Sequence, residues 1–181
     1  MKKTLPIIKD KRVIAKSRLF KIEEVELKFE NGVERVYERL MPGEHQSVMV
    51  IPMLDQHTFL LIREYAVGIE DYILTFPKGL VEKNEDLYEG ANRELMEEVG
   101  MGSSCLEFIK KLYLSPGYMS HGINLLVARD LYKKKLDGDE PEQLDVISWK
   151  ISDIDNLLER PDFIESRSLT AILLLSRLLN S

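Results

Sequence analysis

The sequence predicts an α+β or α/β/α fold in which strands dominate and two or three helices are interspersed. Three observations lead to this class. Short apolar runs separated by turn residues fill the first half of the chain. Residues 86–99 have the apolar spacing of a helix, and residues 166–179 have the pattern of an amphipathic one. The 181 residues contain no internal repeat, so they fit one main domain with a small appended sheet.

An antiparallel hairpin is predicted near the N-terminus. Apolar and charged residues alternate over 25–29, and a second run of strand-forming residues covers 33–40. Asn31 and Gly32 stand between the runs, and this pair favours a two-residue type I′ turn because both positions need positive φ. We expect residues 1–42 to form an N-terminal sheet region and residues 43–181 to form the main domain.

More strands follow along the chain. Residues 47–54 and 58–64 are strongly apolar and are separated by three polar residues, which predicts a second and more buried hairpin. A strand at 71–77 is stopped by Pro77. The remaining strands are expected at 106–114, 123–131 and 144–151. Residues 133–143 are expected to form an exposed acidic loop.

Two helices are predicted in the last third of the chain. Ser152 is a suitable N-cap for a short helix over 153–160, which Pro161 ends. The terminal helix is expected to turn one apolar face toward the core, formed by Leu169, Ile172, Leu173, Leu175 and Leu178.

Charge and cysteine content exclude several classes of partner. The net charge is −6 and the sequence pI is about 5.2, which argues against nonspecific nucleic-acid or anionic-membrane binding. Cys105 is the only cysteine, so a disulfide framework is excluded and a reducing compartment is indicated. The N-terminal apolar run is too short for a signal peptide, and Arg177 interrupts the longest apolar run. These observations predict a cytoplasmic protein without a membrane segment.

The acidic helix is the most informative segment. Glu94, Glu97 and Glu98 lie on one helical turn, where like charges destabilise each other. On a wheel of about 100° per residue the three carboxylates cluster within about 100°. They border an apolar stripe formed by Ala91, Leu95, Val99 and Tyr88. A solvated face would more often lie opposite the core, so this arrangement indicates a cation between the carboxylates.

A hard divalent ion suits such a group of oxygen ligands. Mg²⁺ and Mn²⁺ take carboxylates, backbone carbonyls and water. Gly79 precedes the helix in a tight loop that can turn a carbonyl toward the acidic face, and Gly100 supplies a helix stop. Gly90 is unfavourable within the predicted helix, because glycine lowers helix stability by about 1 kcal/mol relative to alanine. A small residue there would leave room for a metal or phosphate.

The segment Gly79–Met101 resembles the Nudix box, G-x5-E-x7-R-E-U-x-E-E-x-G-U, where U is a bulky apolar residue. Every specified position is filled, by Gly79, Glu85, Arg93, Glu94, Leu95, Glu97, Glu98, Gly100 and Met101. The resemblance implies an α/β/α sandwich around a mixed sheet. It also implies a metal-dependent hydrolase that cleaves a nucleoside diphosphate linked to another moiety.

The resemblance carries specific roles onto the box residues. It makes Glu94 and Glu98 the chief ligands of Mg²⁺ or Mn²⁺, with Glu97 assisting in catalysis and metal binding. The carbonyl of Gly79 would be a further ligand. Arg93 and Glu85 would orient the loop and the helix without binding the metal themselves.

The flanking segments resemble the branch of the family that hydrolyses ADP-linked compounds. The likeness runs through residues 17–40, 61–80 and 130–144. It implies ADP-ribose, NADH and short diadenosine polyphosphates as substrates, with AMP released. It also implies a homodimer to which the N-terminal sheet contributes.

The same likeness suggests residues outside the box. A glutamate on a late loop is the general base in this branch, which makes Glu142 the first candidate and Glu140 the second. Arg63 is the expected phosphate-binding cation, although Ala66 stands where the branch often has a second arginine. Lys78 would supply further charge. Pro116 lies about fifteen residues after the box, as in the branch, and Tyr118 is a candidate for stacking on a base.

Two other functions stay open from the sequence. One is a house-cleaning hydrolase of modified nucleoside triphosphates. The other is a Nudix-fold module that binds nucleotides without catalysis, which the intact box argues against.

Overall fold

The computed structural model describes residues 3–41, 43 and 45–179. These residues form two compact units. The smaller unit contains the described residues before His45 together with Tyr113–His121, and the larger unit contains the rest.

The smaller unit is built on a three-stranded antiparallel sheet. Its strands are β1 (Ile7–Lys16), β2 (Lys21–Lys28) and β3 (Glu34–Leu40), in that order. Tyr113–His121 joins this unit, where the Leu40 N–H donates to the Tyr118 carbonyl at 2.8 Å. The predicted hairpin is present as β2 and β3. All residues of β1 are exposed, so buried and exposed residues do not alternate along this strand. An alternating pattern is the signal by which a strand is predicted from sequence.

The turn of the hairpin differs from the predicted type I′. The Phe29 N–H donates to the Val33 carbonyl at 2.9 Å, so the loop has three residues and not two. Gly32 has φ +82°, whereas Asn31 is not among the residues with positive φ. Instead, the Asn31 side chain accepts a bond from the Val33 N–H at 3.1 Å. A three-residue loop needs one left-handed position only, and glycine supplies it.

The larger unit contains two sheets. The first is mixed, with the order β7 (Lys78–Leu80), β4 (Ser47–Pro52), β9 (Gly122–Lys133), β8 (Met101–Tyr113). In it β4 runs parallel to β9 and antiparallel to β7. The second has the order β10 (Asp145–Lys150), β5 (Thr58–Ala66), β6 (Asp71–Thr75).

The predicted hairpin of 47–54 with 58–64 is wrong, because β4 and β5 belong to different sheets. A single bridge between Met53 and Phe59 remains at the connection. Both edges of β4 are already occupied by β7 and β9, and all six of its residues are buried. Two apolar runs joined by a short polar link therefore fold as neighbouring layers.

The core lies on both faces of β4. Val48 and Val50 on one face pack in a cluster with Ala91 and Leu95 of α1 (Leu87–Glu98). The other face belongs to a larger cluster with residues of β5, β6, β9 and α3 (Ser166–Leu179). This layered α+β arrangement around a mixed sheet is the predicted fold class.

The C-terminal helices depart from prediction in detail. A 3₁₀ turn at Ile151–Asp153 precedes α2 (Ile154–Leu158), so Ser152 lies inside helical backbone and is not an N-cap. On α3 the predicted inward residues Leu173 and Leu178 are exposed, because the buried face follows Ser168, Ala171, Ile172 and Leu175. None of the described helices is long and apolar enough to cross a membrane.

A buried polar network fixes the start of α3. The Ser168 hydroxyl is fully buried and lies 2.9 Å from the Thr75 hydroxyl, and it accepts the Phe76 N–H at 3.3 Å. The Ser168 N–H and hydroxyl both donate to Glu165. Burial raises the pKa of Glu165, but the Arg167 guanidinium and the Ser168 bonds outweigh it and lower that pKa.

We expect Ser168→Ala to destabilise the protein by about 1–3 kcal/mol, because it removes the buried hydroxyl that bonds to the Thr75 hydroxyl and accepts the Phe76 N–H. Urea unfolding followed by circular dichroism measures the change. Ser166→Ala at the first residue of α3 is the matched control. A loss below about 0.5 kcal/mol for Ser168→Ala would contradict the role of the network.

The lowered pKa of Glu165 predicts a pH-dependent contribution to stability. A carboxyl group whose pKa is lower when folded stabilises the protein above its unfolded pKa of about 4.3. That stabilisation is lost as pH falls through the folded value. The difference in unfolding free energy between wild type and Glu165→Gln should therefore shrink from pH 6 to pH 3. A difference that stays constant over this range would refute the assignment.

Candidate active site

A capping box fixes the start of the box helix. Asp86 accepts bonds from the Tyr88 and Glu89 N–H groups at 2.8 Å, and Glu89 accepts the Asp86 N–H at 3.0 Å. This reciprocal pair satisfies the first free N–H groups of α1. It sets the helical register that brings Glu94 and Glu98 to the buried side.

Arg93 joins the loop before the helix to the acidic turn. Its Nη1 donates to Glu94 at 2.9 Å and to Glu97 at 2.7 Å. Its Nε donates to Glu85 at 3.0 Å, and its Nη2 donates to the Leu80 carbonyl at 2.6 Å. Burial lowers the pKa of Arg93, but these carboxylates raise it above its usual range. Arg93 therefore links Glu85 in the loop to Glu94 and Glu97 on the helix through direct hydrogen bonds.

Gly90 leaves little space for a side chain, because the loop packs closely against it. A Cβ at Gly90 would lie 3.0 Å from the Glu85 carboxylate and 3.1 Å from the Val81 side chain. The loop therefore packs directly against the helix backbone. The expectation that Gly90 leaves room for a metal or phosphate is wrong, because loop residues fill that space.

Gly79 allows a second close approach. A Cβ at Gly79 would lie 2.1 Å from the Glu94 carboxyl carbon, so no other residue fits while Glu94 keeps this position. Glu94 is 9% exposed. Burial raises the pKa of Glu94, although Arg93 opposes the shift. Strand β7 and the helix thus meet at a carboxylate with no side chain between them.

Glu98 is the most deeply buried carboxylate of the acidic turn, at 6% exposed. Its side chain accepts the Lys78 N–H at 2.8 Å. Burial raises the pKa of Glu98 to about 8, with Glu94 and Glu64 adding to the shift and Lys78 opposing it. A buried carboxylate of this kind is stabilised by a nearby cation.

Lys78 and Glu64 form an ion pair beside Glu98. Glu64 was not predicted as a site residue. Its position on β5 alternates with that of Arg63, so the two side chains point to opposite faces of the strand. The sequence shows this alternation, but only the packing of β5 beside β7 reveals that Glu64 meets Lys78.

A cleft of about 610 Å³ contains Lys78, Gly79, Arg93, Glu94 and Glu97, whereas the buried Glu98 does not line it. It is lined by His45, Lys78, Gly79, Leu80, Val81, Glu82, Arg93, Glu94, Glu97, Asp137, Gly138, Asp139 and Glu140. Six of these thirteen residues are acidic, and two carry a permanent positive charge. Asp137 and Asp139 were not singled out from the sequence, although they lie in the same acidic loop as Glu140.

The two candidate bases lie in different places. Glu140 lines the cleft, and burial followed by repulsion from Glu64 and Asp139 raises its pKa, with Lys78 opposing. Glu142 instead accepts a hydrogen bond from the Tyr72 hydroxyl at 2.7 Å. It lines a separate cavity of about 300 Å³ that also contains Arg63.

Arg63 does not line the box cleft. Arg63 forms an ion pair with Asp162 at 3.0 Å. Pro116 and Tyr118 belong to the smaller unit, where Tyr118 is 71% exposed. The structure therefore brings together Lys78 and the box carboxylates, and brings Arg63 together with Glu142.

The donors of the cleft fit a hard divalent cation. Among the described residues, no group of three or more Asp, Glu, His or Cys side chains is arranged so that it could hold a metal ion. Arg93 bonds to one oxygen of Glu94 and one of Glu97. The six acidic residues of the cleft nevertheless offer oxygen donors, and Gly79 leaves its side of Glu94 free of a side chain.

Comparison with known proteins agrees with this geometry. The family model described as the NudE-type Nudix hydrolase N-terminal domain matches residues 6–39, and the NUDIX domain model matches residues 43–171. The ADP compounds hydrolase NudE of Escherichia coli strain K12 is 50% identical over 169 residues, which are 93% of this chain and 90% of that protein.

Two further likenesses point the same way. The ADP-ribose pyrophosphatase of Bacillus subtilis strain 168 is 27% identical over 172 residues, covering 90% of this chain and 91% of that protein. The crystal structure of an ADP compounds hydrolase aligns with a TM-score of 0.92 at 48% identity, covering 99% of this chain and 97% of that chain. The resemblance seen in the box is thus confirmed, and the chain belongs to the Nudix hydrolase family.

Proposed function

We propose that this protein hydrolyses the pyrophosphate bond of ADP-linked compounds and releases AMP. The substrates are ADP-ribose, NADH and diadenosine di- or triphosphate. The observation that carries the proposal is the pair of buried carboxylates, Glu94 and Glu98, of which Glu94 lines the cleft where Gly79 leaves space beside it. The relatives named as an ADP compounds hydrolase and an ADP-ribose pyrophosphatase support this class of substrate.

The cofactor is a divalent ion. Nudix hydrolases generally depend on divalent metals. We propose Mg²⁺ or Mn²⁺ at this site, held by Glu94, Glu98 and Glu97 with the Gly79 carbonyl. When bound, such an ion neutralises phosphate charge and lowers the pKa of a coordinated water.

The side chains of the cleft supply binding and proton transfer. Lys78 is the better placed of the two cleft cations to meet a substrate phosphate, since it pairs with one carboxylate whereas Arg93 is engaged by three carboxylates and a carbonyl. Glu64 holds the Lys78 ammonium at the cleft. A water oxygen attacks phosphorus, the bridging P–O bond breaks, and AMP leaves together with the other phosphorylated product.

Glu140 is the better candidate for the general base. A base must lie within reach of the attacking water and have a pKa near the working pH. Glu140 lines the same cleft as Glu94, and its surroundings raise its pKa. Glu142 remains the alternative, because a loop residue can reposition when substrate binds. Arg63 would then act beside it, in the cavity they share.

We also propose a cytoplasmic homodimer that binds a nucleotide and neither nucleic acid nor membrane. The smaller unit supports the dimer. Strand β1 exposes Ile7, Ile8, Val13 and Ile14, with exposed fractions from 44% to 67%. Apolar residues at this density on one strand are typical of a surface that pairs with another chain. The acidic net charge of −6 supports the exclusion of nucleic acid.

A substrate panel with Mg²⁺ or Mn²⁺ tests the function through AMP release. We expect turnover of ADP-ribose, NADH and diadenosine compounds, and little turnover of modified nucleoside triphosphates. Glu98→Gln should lower kcat by more than about 100-fold, since even residues behind metal ligands contribute 10- to 100-fold. Calorimetric titration with Mn²⁺ should show weakened binding in the same variant.

Two outcomes would contradict these assignments. Preferential turnover of a modified nucleoside triphosphate would replace the proposed function with the house-cleaning one. Wild-type rates for Glu98→Gln would reject the metal assignment. Glu82→Gln, on the exposed side of the cleft, is the matched control for charge.

The identity of the base is tested by a pair of variants. We expect Glu140→Gln to lower kcat by about 10²- to 10⁴-fold with KM within twofold, because it removes proton transfer and leaves binding intact. Glu142→Gln should change kcat by less than about threefold. Steady-state kinetics on ADP-ribose measures both. The reverse result would make Glu142 the base.

A further inference from the structure

The segment that follows β9 is fastened to the C-terminal end of the box helix. The Leu136 N–H donates to the Met96 carbonyl at 3.2 Å, and the Lys134 N–H donates to the Gly100 carbonyl at 3.2 Å. Between these two bonds, the Lys135 ammonium donates to the Glu97 carbonyl. The last carbonyls of a helix lack partners within the helix, and a cation is favoured there.

Gly100 accommodates the Lys135 side chain. Gly100 has φ +74°, which ends the helix in a left-handed conformation that glycine favours. A Cβ at Gly100 would lie 3.4 Å from Cδ of Lys135. The aliphatic stem of Lys135 therefore passes directly over the helix end before its ammonium reaches Glu97.

Gly138 continues the contact toward the cleft. A Cβ at Gly138 would lie 3.3 Å from Cβ of Glu97, which is closer than an ordinary contact. The loop backbone thus lies against the side-chain stem of a box glutamate. Residues 137–140 then line the cleft, and Glu140 is the last of them.

These contacts matter because the loop has no regular structure of its own. No strand or helix is present between Lys133 and Asp145. A free chain of five residues can span about 16–18 Å, so Glu140 is held at the cleft only if the loop is anchored on both sides of it. The Glu142 bond to Tyr72 anchors the C-terminal side, and the contacts with the box helix anchor the N-terminal side. Hydrogen bonds from a charged donor are about twice as strong as neutral ones. Lys135 is the charged group in this set of three bonds.

We infer that Lys135 is a positioning residue that fastens the acidic loop to the C-terminus of the box helix and thereby holds Glu140 at the cleft. This inference rests on the proposed function, with Glu140 in the role of general base. The helix that carries the proposed metal-binding carboxylates and the loop that carries the proposed base are then held in a fixed relative position.

The test combines Lys135→Met with Glu140→Gln in a double-mutant cycle. In the wild-type background, Lys135→Met should lower kcat for ADP-ribose about tenfold with KM within twofold. In the Glu140→Gln background it should have less than a twofold effect, because its target is already gone. Lys135→Arg should retain most of the activity. Lys133→Met removes the same charge two residues earlier and serves as the control.

A readout independent of activity accompanies the cycle. Hydrogen exchange of the amides in residues 134–140 should become faster in Lys135→Met, while exchange in the first turns of α1 stays unchanged. If Lys135→Met folds poorly, Gly138→Ala provides a second variant, which pushes the loop away from Glu97 and should also lower kcat.

Three results would overturn the inference. They are unchanged exchange in residues 134–140, an unchanged kcat in Lys135→Met, and an equal loss of kcat in both backgrounds. A wild-type protein without activity on any ADP compound would instead reject the proposed function, and the exchange measurement would still decide whether Lys135 anchors the loop.

Discussion

The guanidinium of Arg93 bonds to Glu85, Glu94, Glu97 and the Leu80 carbonyl, and the geometry of the cleft depends on this set of contacts. Three carboxylates on one helical turn repel each other, and burial adds to the free energy of keeping them charged. A planar cation with several donors offsets that repulsion in fixed directions. The same side chain reaches back to the preceding loop, so the loop and the acidic turn cannot move independently.

Two glycines, Gly79 and Gly90, also allow close contacts with the box helix. Gly79 lets strand β7 touch Glu94, and Gly90 lets the box loop lie on the helix. A methyl group at Gly79 would overlap the Glu94 carboxylate, and one at Gly90 would make a tight contact with Glu85 and Val81. The helix loses about 1 kcal/mol of intrinsic propensity at Gly90. Packing of the buried face of α1 against β4 offsets that loss, because Ala91 and Leu95 are fully buried.

Sequence reasoning succeeded where function requires residues at fixed spacing along one element. The box carboxylates, Arg93 and the start of α1 all follow from positions within one helix and its cap. It failed where the outcome depends on competition between distant segments. The pairing of β4 was decided by β7 and β9, and the meeting of Glu64 with Lys78 was decided by packing between strands.

The acidic loop shows that sequence reasoning also fails to distinguish two nearby glutamates. Glu140 and Glu142 are equivalent by composition and lie in one polar segment. Which of them meets the cleft depends on where the loop backbone is anchored, at Lys135 and Gly138, and on the Tyr72 hydroxyl that bonds to Glu142. No local pattern encodes either contact, because the partners are about 40 and 70 positions away in the sequence.

The composition of the smaller unit has a consequence for evolution by recombination. It is assembled from the N-terminal strands and from Tyr113–His121, which arrives from the middle of the chain. The chain therefore changes units three times, and no single cut separates them. A gene fusion or exchange that swapped the N-terminal strands alone would leave Leu40's partner at Tyr118 behind. The smaller unit therefore depends on two separate segments of the chain, although its three-stranded sheet is built from the N-terminal strands alone.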